Sequence, residues 1–201
     1  MILKRKFYER DSLSVAKDLL GKFFVHATKE GTVIGKIVEV EAYLGPEDRA
    51  SHAYNNHRSE RTEIQFGSKG HAYIYQIYGM YFCFDVTSGK SVGKPEAILV
   101  RALEPVKGIE LMIKRRNIKK GQIKNLTNGP GKLCAAMGIT KRQNGVDLCR
   151  PPLWIESGVQ IGENQIYQTT RINIDYAGEC KHLPWRFFIK GNDFVSVKSN
   201  V

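Results

Sequence analysis

The sequence predicts a mixed α/β (α+β) single domain, residues 1–201, built mainly on antiparallel strands. Three observations carry that expectation. Residues 37–43 alternate strictly, and apolar, β-prone stretches recur at 23–27, 33–43 and 73–86, as strands do. Short helical patterns with their own start and stop residues fall between the strands. The chain has 42% hydrophobic and 25% charged residues, enough to bury a core, and no repeat, low-complexity tract or linker divides it.

Taken in order, Asp11-Ser12 offers an N-cap to Leu13-Ser14-Val15-Ala16-Lys17-Asp18-Leu19-Leu20, and Gly21 closes that helix. Residues 23–27 read as a strand, Lys29-Glu30-Gly31 as a turn and 33–43 as a longer strand, together a hairpin. Gly45-Pro46 breaks it, and the polar stretch 47–70 reads as a long loop. Residues 73–86 form a second hairpin bending near Gly79, and Ala97-Ile98-Leu99-Val100 a buried strand. Pro105 suits the first turn of a helix through Asn117. Asn128-Gly129-Pro130-Gly131 precedes a helix from Lys132 to Met137, stopped by Gly138. Short strands are expected around 153–156, 171–174, 186–190 and 194–197.

Charge narrows the partners. Thirty-one Lys and Arg stand against 20 acids, a net charge of +11, which favours an anionic partner such as nucleic acid. Four of the nine tyrosines fall within Tyr73-Ile74-Tyr75-Gln76-Ile77-Tyr78-Gly79-Met80-Tyr81. On a cationic surface such rings can stack on bases; equally, they can be the packing residues of an aromatic-rich strand. No apolar run is long enough to span a bilayer and no signal-type core follows Met1, so a cytoplasmic protein is expected, with no membrane partner. Cys83, Cys134, Cys149 and Cys180 have neither metal-finger nor close-pair spacing, and reduced thiols are expected.

Period two places Ile37, Glu39, Glu41 and Tyr43 on one face of their strand and Val38, Val40 and Ala42 on the other, the valine face being the core candidate. Glu41 beside Tyr43 at a strand end suits a general base or a solvated carboxylate alike; for Glu39 a solvated carboxylate paired with a lysine is preferred. Glu47, Asp48 and His52 have no recognised metal-ligand spacing, and Glu47-Asp48 can cap a turn instead. Arg101 is read as a structural ion-pair partner or an active-site orienter. Gly131 and Lys132 at a helix start can hold a DNA phosphate or simply begin the helix.

Taken together, Val40-Glu41-Ala42-Tyr43-Leu44-Gly45-Pro46-Glu47-Asp48 with Ser51-His52, the tyrosine stretch through Cys83, Leu99-Val100-Arg101-Ala102-Leu103-Glu104-Pro105, and Gly129-Pro130-Gly131-Lys132-Leu133-Cys134 closely resemble the alkyladenine (3-methyladenine) DNA glycosylases of the mammalian type, which also occur in bacteria. Order and spacing fit from about Leu13 to Val197. The resemblance implies a curved antiparallel sheet with flanking helices and a protruding hairpin that inserts into DNA. It implies a monofunctional glycosylase that leaves an abasic site in duplex DNA; no cofactor or metal is expected, and a nucleoid-associated monomer suits a basic protein that scans DNA. Glu41 matches the general base and Arg101 the arginine that helps hold its water. Tyr43, His52 and Tyr75 match the residues around the extruded base, and Tyr78 the side chain filling the vacated stack. Asp85 stands where the family commonly has Asn, a departure that implies acceptance of 7-methylguanine. Ser59-Glu60-Arg61-Thr62 also departs from the usual Thr-Pro-Arg-Asn stretch. A catalytically silent nucleic-acid-binding module is the competing class of function, and a metal hydrolase on Glu47, Asp48 and His52 a third.

Overall fold

The computed structural model describes residues 1–197, with Lys120 described by its backbone alone. The element order is α1 (Arg5–Tyr8), α2 (Ser12–Leu19), β1 (Phe23–Thr28), β2 (Gly31–Leu44), α3 (Glu63–Phe66), β3 (Ala72–Ile77), β4 (Tyr81–Ser88), β5 (Glu96–Lys107), α4 (Ile109–Arg116), α5 (Pro130–Met137), β6 (Leu153–Glu156), β7 (Ile166–Thr169) and β8 (Arg186–Ile189), joined by short 3-10 turns. All eight strands belong to one antiparallel sheet in the order β3-β4-β5-β2-β1-β6, with β8 pairing with β2 and β7. The sheet curls into a half-barrel with helices against it, as the sequence predicts.

One side of the sheet carries the main core. Val15, Ala16 and Leu19 of α2 and Leu133, Ala136 and Met137 of α5 pack with Phe24, Val40, Ala42, Phe84, Ile98 and Val100. Asp11 caps α2 through its side chain, accepting from Ser14 N at 2.9 Å, and so satisfies one of the free amides of the first turn. Phe24 stacks on Phe84 at 4.3 Å between centroids, tying the β1–β2 hairpin to the β3–β4 hairpin.

Four local expectations are corrected. Residue 105 does not start a helix: Pro105 stays in β5 opposite Gly35, and α4 begins only after Gly108. Gly108 has φ +74°, and a Cβ there would lie 2.6 Å from the Thr32 carbonyl oxygen, so this glycine makes the turn and the helix starts behind it. Residues 171–174 are not a strand but a wall of the cavity described below; the neighbouring strand is 166–169. Residues 194–197 are turn and bend. Finally, the phase of β2 slips. Val38 is an extra residue between the pairs Ile37–Leu103 and Glu39–Ala102, so Ile37 joins Val40 and Ala42 in the core. A bulge inverts the alternation beyond it, which strict period two misses.

The same irregularity displaces a residue on the facing strand. Between Glu39–Ala102 and Val40–Val100 the extra residue is Arg101, mid-strand rather than at a strand end. Bulges turn side chains out of the regular pleat, and this one turns a guanidinium toward two glutamates.

Candidate active site

On the face opposite the core, one ladder row runs Tyr73 (β3), Asp85 (β4), Leu99 (β5), Glu41 (β2) and Arg186 (β8). A cavity of about 230 Å³ opens on this face. It is smaller than sites for drug-sized ligands, roughly 300–1,000 Å³, and is sized for a single ring system. Its lining includes Tyr43, His52, Tyr75, Asp85 and Arg101, with Ile172 and Tyr176 from the far segment.

Glu41 is fully buried and held from three directions. Its Oε2 accepts from the Tyr43 hydroxyl at 2.7 Å and from Arg101 Nη1 at 3.3 Å, and its Oε1 accepts from the Ile172 amide at 2.8 Å. Tyr43 and Arg101 form the cavity wall in front of it. The expectation for Glu39 is overturned: it is not a solvated carboxylate paired with lysine. It is fully buried, accepts from Arg186 Nε at 2.7 Å and from Ser196 N at 2.6 Å, and lies 3.4 Å from Arg101 Nε. Bringing two carboxylates beneath one sheet face requires both arginines, since unpaired buried charge is costly.

Three aromatic side chains shape the pocket. His52 Nδ1 pairs with the Tyr73 hydroxyl at 2.8 Å, and its ring stands edge-on to Tyr75 at 4.6 Å. Burial, with the positive Arg61 beside it, pushes the His52 pKa down to about 4, so the ring is neutral at physiological pH. Arg61 also lies over the Tyr75 ring at 5.0 Å. Asp85 is 3% exposed, and its Oδ1 is buried without a hydrogen-bond partner. Burial, reinforced by the nearby Glu41 charge, raises its pKa well above the usual carboxylate range.

Tyr78 sits at the tip of the β3–β4 hairpin, 80% exposed, beside the exposed Met80. Tyr78 and Gly79 both have positive φ, +51° and +68°, and Met80 N closes the turn on Ile77 O at 3.2 Å. Positive φ at both central positions matches the strand twist of a tight hairpin. For a bulky residue it is strained, and such strain concentrates at functional positions. Gly131 and Lys132 open α5, whose Pro130 lines the cavity. A Cβ on Gly131 would lie 3.0 Å from Tyr81 Cβ, so the glycine lets α5 approach the hairpin; Lys132 Nζ donates to Asn128 at 2.8 Å.

The remaining loop candidates separate. Asp48 is fully paired with Arg171 (2.5 and 2.9 Å) and caps Leu44 N and Ala50 N, as the capping alternative has it. Glu47 points outward to Lys94. The sequence reading missed Arg171, Ile172 and Tyr176. Arg171 lies over the Tyr43 ring at 4.8 Å while Ile172 reaches Glu41. No local pattern marks them, because their partners lie well over a hundred residues away.

The model of the family described as methylpurine-DNA glycosylase (MPG) matches residues 6–193. The chain belongs to that family. Membership makes it a monofunctional DNA glycosylase of base excision repair. Relatives provisionally named 3-methyladenine DNA glycosylases are 52% identical in Alkaliphilus oremlandii, covering 98% of this chain and all of that protein, and 52% identical in Bacillus cereus, covering 96% and 97%. A Clostridium acetobutylicum relative so named is 50% identical over 98% of both chains. No helix among the described residues is long and apolar enough to cross a membrane.

Proposed function

We propose that this glycosylase extrudes alkylated or deaminated purines, 3-methyladenine among them, from duplex DNA into the aromatic cavity and hydrolyses the N-glycosidic bond with a water activated by Glu41. The observation that carries the reading is the donor set on Glu41. A carboxylate offers about four acceptor positions. Among the described residues Oε2 accepts from Tyr43 and Arg101 and Oε1 from Ile172 N alone, which leaves one position for a water. A carboxylate so placed can take the water's proton and stabilise the cationic sugar as the base departs.

Extrusion costs a few kcal/mol, least for a damaged base. Tyr78, presented on a strained exposed tip, fits the wedge that fills the vacated stack. The walls suit a flat base such as 3-methyladenine: Tyr43 and Tyr75 line the cavity, and a neutral His52 adds no repulsion to a cationic one. Gly131 and Lys132 are read as a phosphate contact beside the hairpin, and the enzyme as a monomer on its DNA. The carbonyl oxygen of Asp85 can accept from a 2-amino group, so 7-methylguanine is a substrate in this reading; release of 3-methyladenine without 7-methylguanine refutes that part.

The test is Glu41→Gln. Loss of base release with retained binding to an abasic-site analogue is expected. Full activity in the variant overturns the mechanism.

A further inference from the structure

Three buried carboxyl groups of the site region each have a guanidinium against them. Glu39 has Arg186, Glu41 has Arg101 and Asp48 has Arg171. Asp85, equally buried, has no ion-pair partner among the described residues, and its Oδ1 has no hydrogen-bond partner at all. It nevertheless lines the cavity. A buried carboxyl without a counter-charge sheds its own charge by holding a proton. Leu99 separates Asp85 from Glu41 in the ladder row, so their backbones lie two strand spacings apart, roughly 10 Å. Two carboxyl groups flanking a glycosidic bond, one paired and one kept neutral by its surroundings, are how glycoside hydrolases divide base and acid duties.

We propose that Asp85, on the cavity wall, is the general acid for neutral purine lesions, two strands from the Glu41 base on the same sheet face. The proposal rests on the hydrolytic reading above and deepens it. In the step, the Asp85 carboxyl gives its proton to a ring nitrogen of the bound purine. The bond between C1′ and the purine nitrogen breaks, and its electron pair stays on the base. The water forms the new bond to C1′ and yields its proton to Glu41. The base leaves neutral, Asp85 is left as a carboxylate and Glu41 as an acid, and exchange with solvent resets both. A lesion that already carries positive charge needs no such proton.

The groups facing Asp85 set its titration. These are Tyr73 and Tyr75 on β3, Cys83 on its own strand, Glu41 and Tyr43 on β2, Cys134 on α5 and Arg61 of the loop before α3. Burial dominates, then the Glu41 charge, both favouring the protonated form; Tyr75 and Arg61 oppose them.

The experiment compares wild type and Asp85→Asn in single-turnover release of hypoxanthine, a neutral lesion, and of 3-methyladenine, a cationic one, across pH. The expected result for the variant is a loss on hypoxanthine 10²- to 10⁴-fold greater than its loss on 3-methyladenine, the usual worth of a general acid. Equal losses on both lesions overturn the proposal, as does unchanged hypoxanthine release or a wild type that releases 3-methyladenine but no hypoxanthine. A wild type that releases neither lesion refutes the hydrolytic reading instead. Should the variant fold poorly, the infrared carbonyl stretch of wild type carrying ¹³C-labelled aspartate carboxyls decides: a band of a neutral aspartic acid at neutral pH supports the assignment, and only ionised aspartates overturn it.

Discussion

Asp48→Asn tests how the distant segment 171–176 holds Glu41. Asp48 and Arg171 have fully buried side chains and pair through both oxygens. Each oxygen also accepts one backbone amide, Leu44 N or Ala50 N. An asparagine keeps one acceptor, turns the other into a donor facing two donors, and leaves the Arg171 charge with neutral acceptors, the Ala42 and Cys180 carbonyls among them. Removing one member of a buried pair costs about 3–5 kcal/mol. For a domain of this length that is a Tm lowered by roughly 6–20 °C, at about 2–4 °C per kcal/mol. Urea and thermal unfolding measure it, and single-turnover base release should fall as well, because Ile172 N on Glu41 and Arg171 over Tyr43 ride on the same segment. Adding Arg171→Met removes the stranded charge and should recover part of the stability. A loss below about 1 kcal/mol, or a double variant no more stable than D48N, refutes the argument.

Two further outcomes are expected. Tyr78→Ala removes an exposed ring that supports nothing in the fold, so unfolding should change by no more than about 0.5 kcal/mol; affinity for lesion duplexes should fall roughly 5- to 150-fold, the worth of one stacking partner at about 1–3 kcal/mol. Unchanged affinity sinks the wedge assignment. His52 has a folded pKa of about 4 against about 6.5 unfolded, so the unfolded chain binds its proton first and stability is lost as pH falls from 6.5 toward 4. The loss is bounded at about 3 kcal/mol, at 1.36 kcal/mol per unit. Comparing denaturation of wild type and His52→Gln at pH 7 and pH 4.5 checks it: equal acid sensitivity in the two proteins contradicts a neutral buried ring.

Much of this protein is legible in one dimension. The Asp11 cap, the hairpins at residues 23–43 and 73–86 and the α5 start are local patterns, each set by residues within a few positions of one another. The four quoted motifs also carry the family, and they contain Glu41, Tyr43, His52, Tyr75, Tyr78 and Arg101. What the sequence misjudged depends on partners remote in the chain. Glu39 looks solvated until Arg186 and Ser196 reach it from 147 and 157 residues away. Ile37 looks outward until Val38 bulges, and that bulge exists only against β5. Pro105 reads as a helix start until Gly35 pairs with it.

The tertiary structure alone decided the electrostatic state of the site. Charge on a buried carboxyl is set by what lies within a few ångströms, not by its neighbours in sequence. Glu41 and Asp85 are both acids on apolar strands, and nothing beside them in the sequence gives either its charge state. Folding brings Arg101, Tyr43 and Ile172 to one and leaves an oxygen of the other without a partner. That difference gives one carboxyl its counter-charge and raises the pKa of the other.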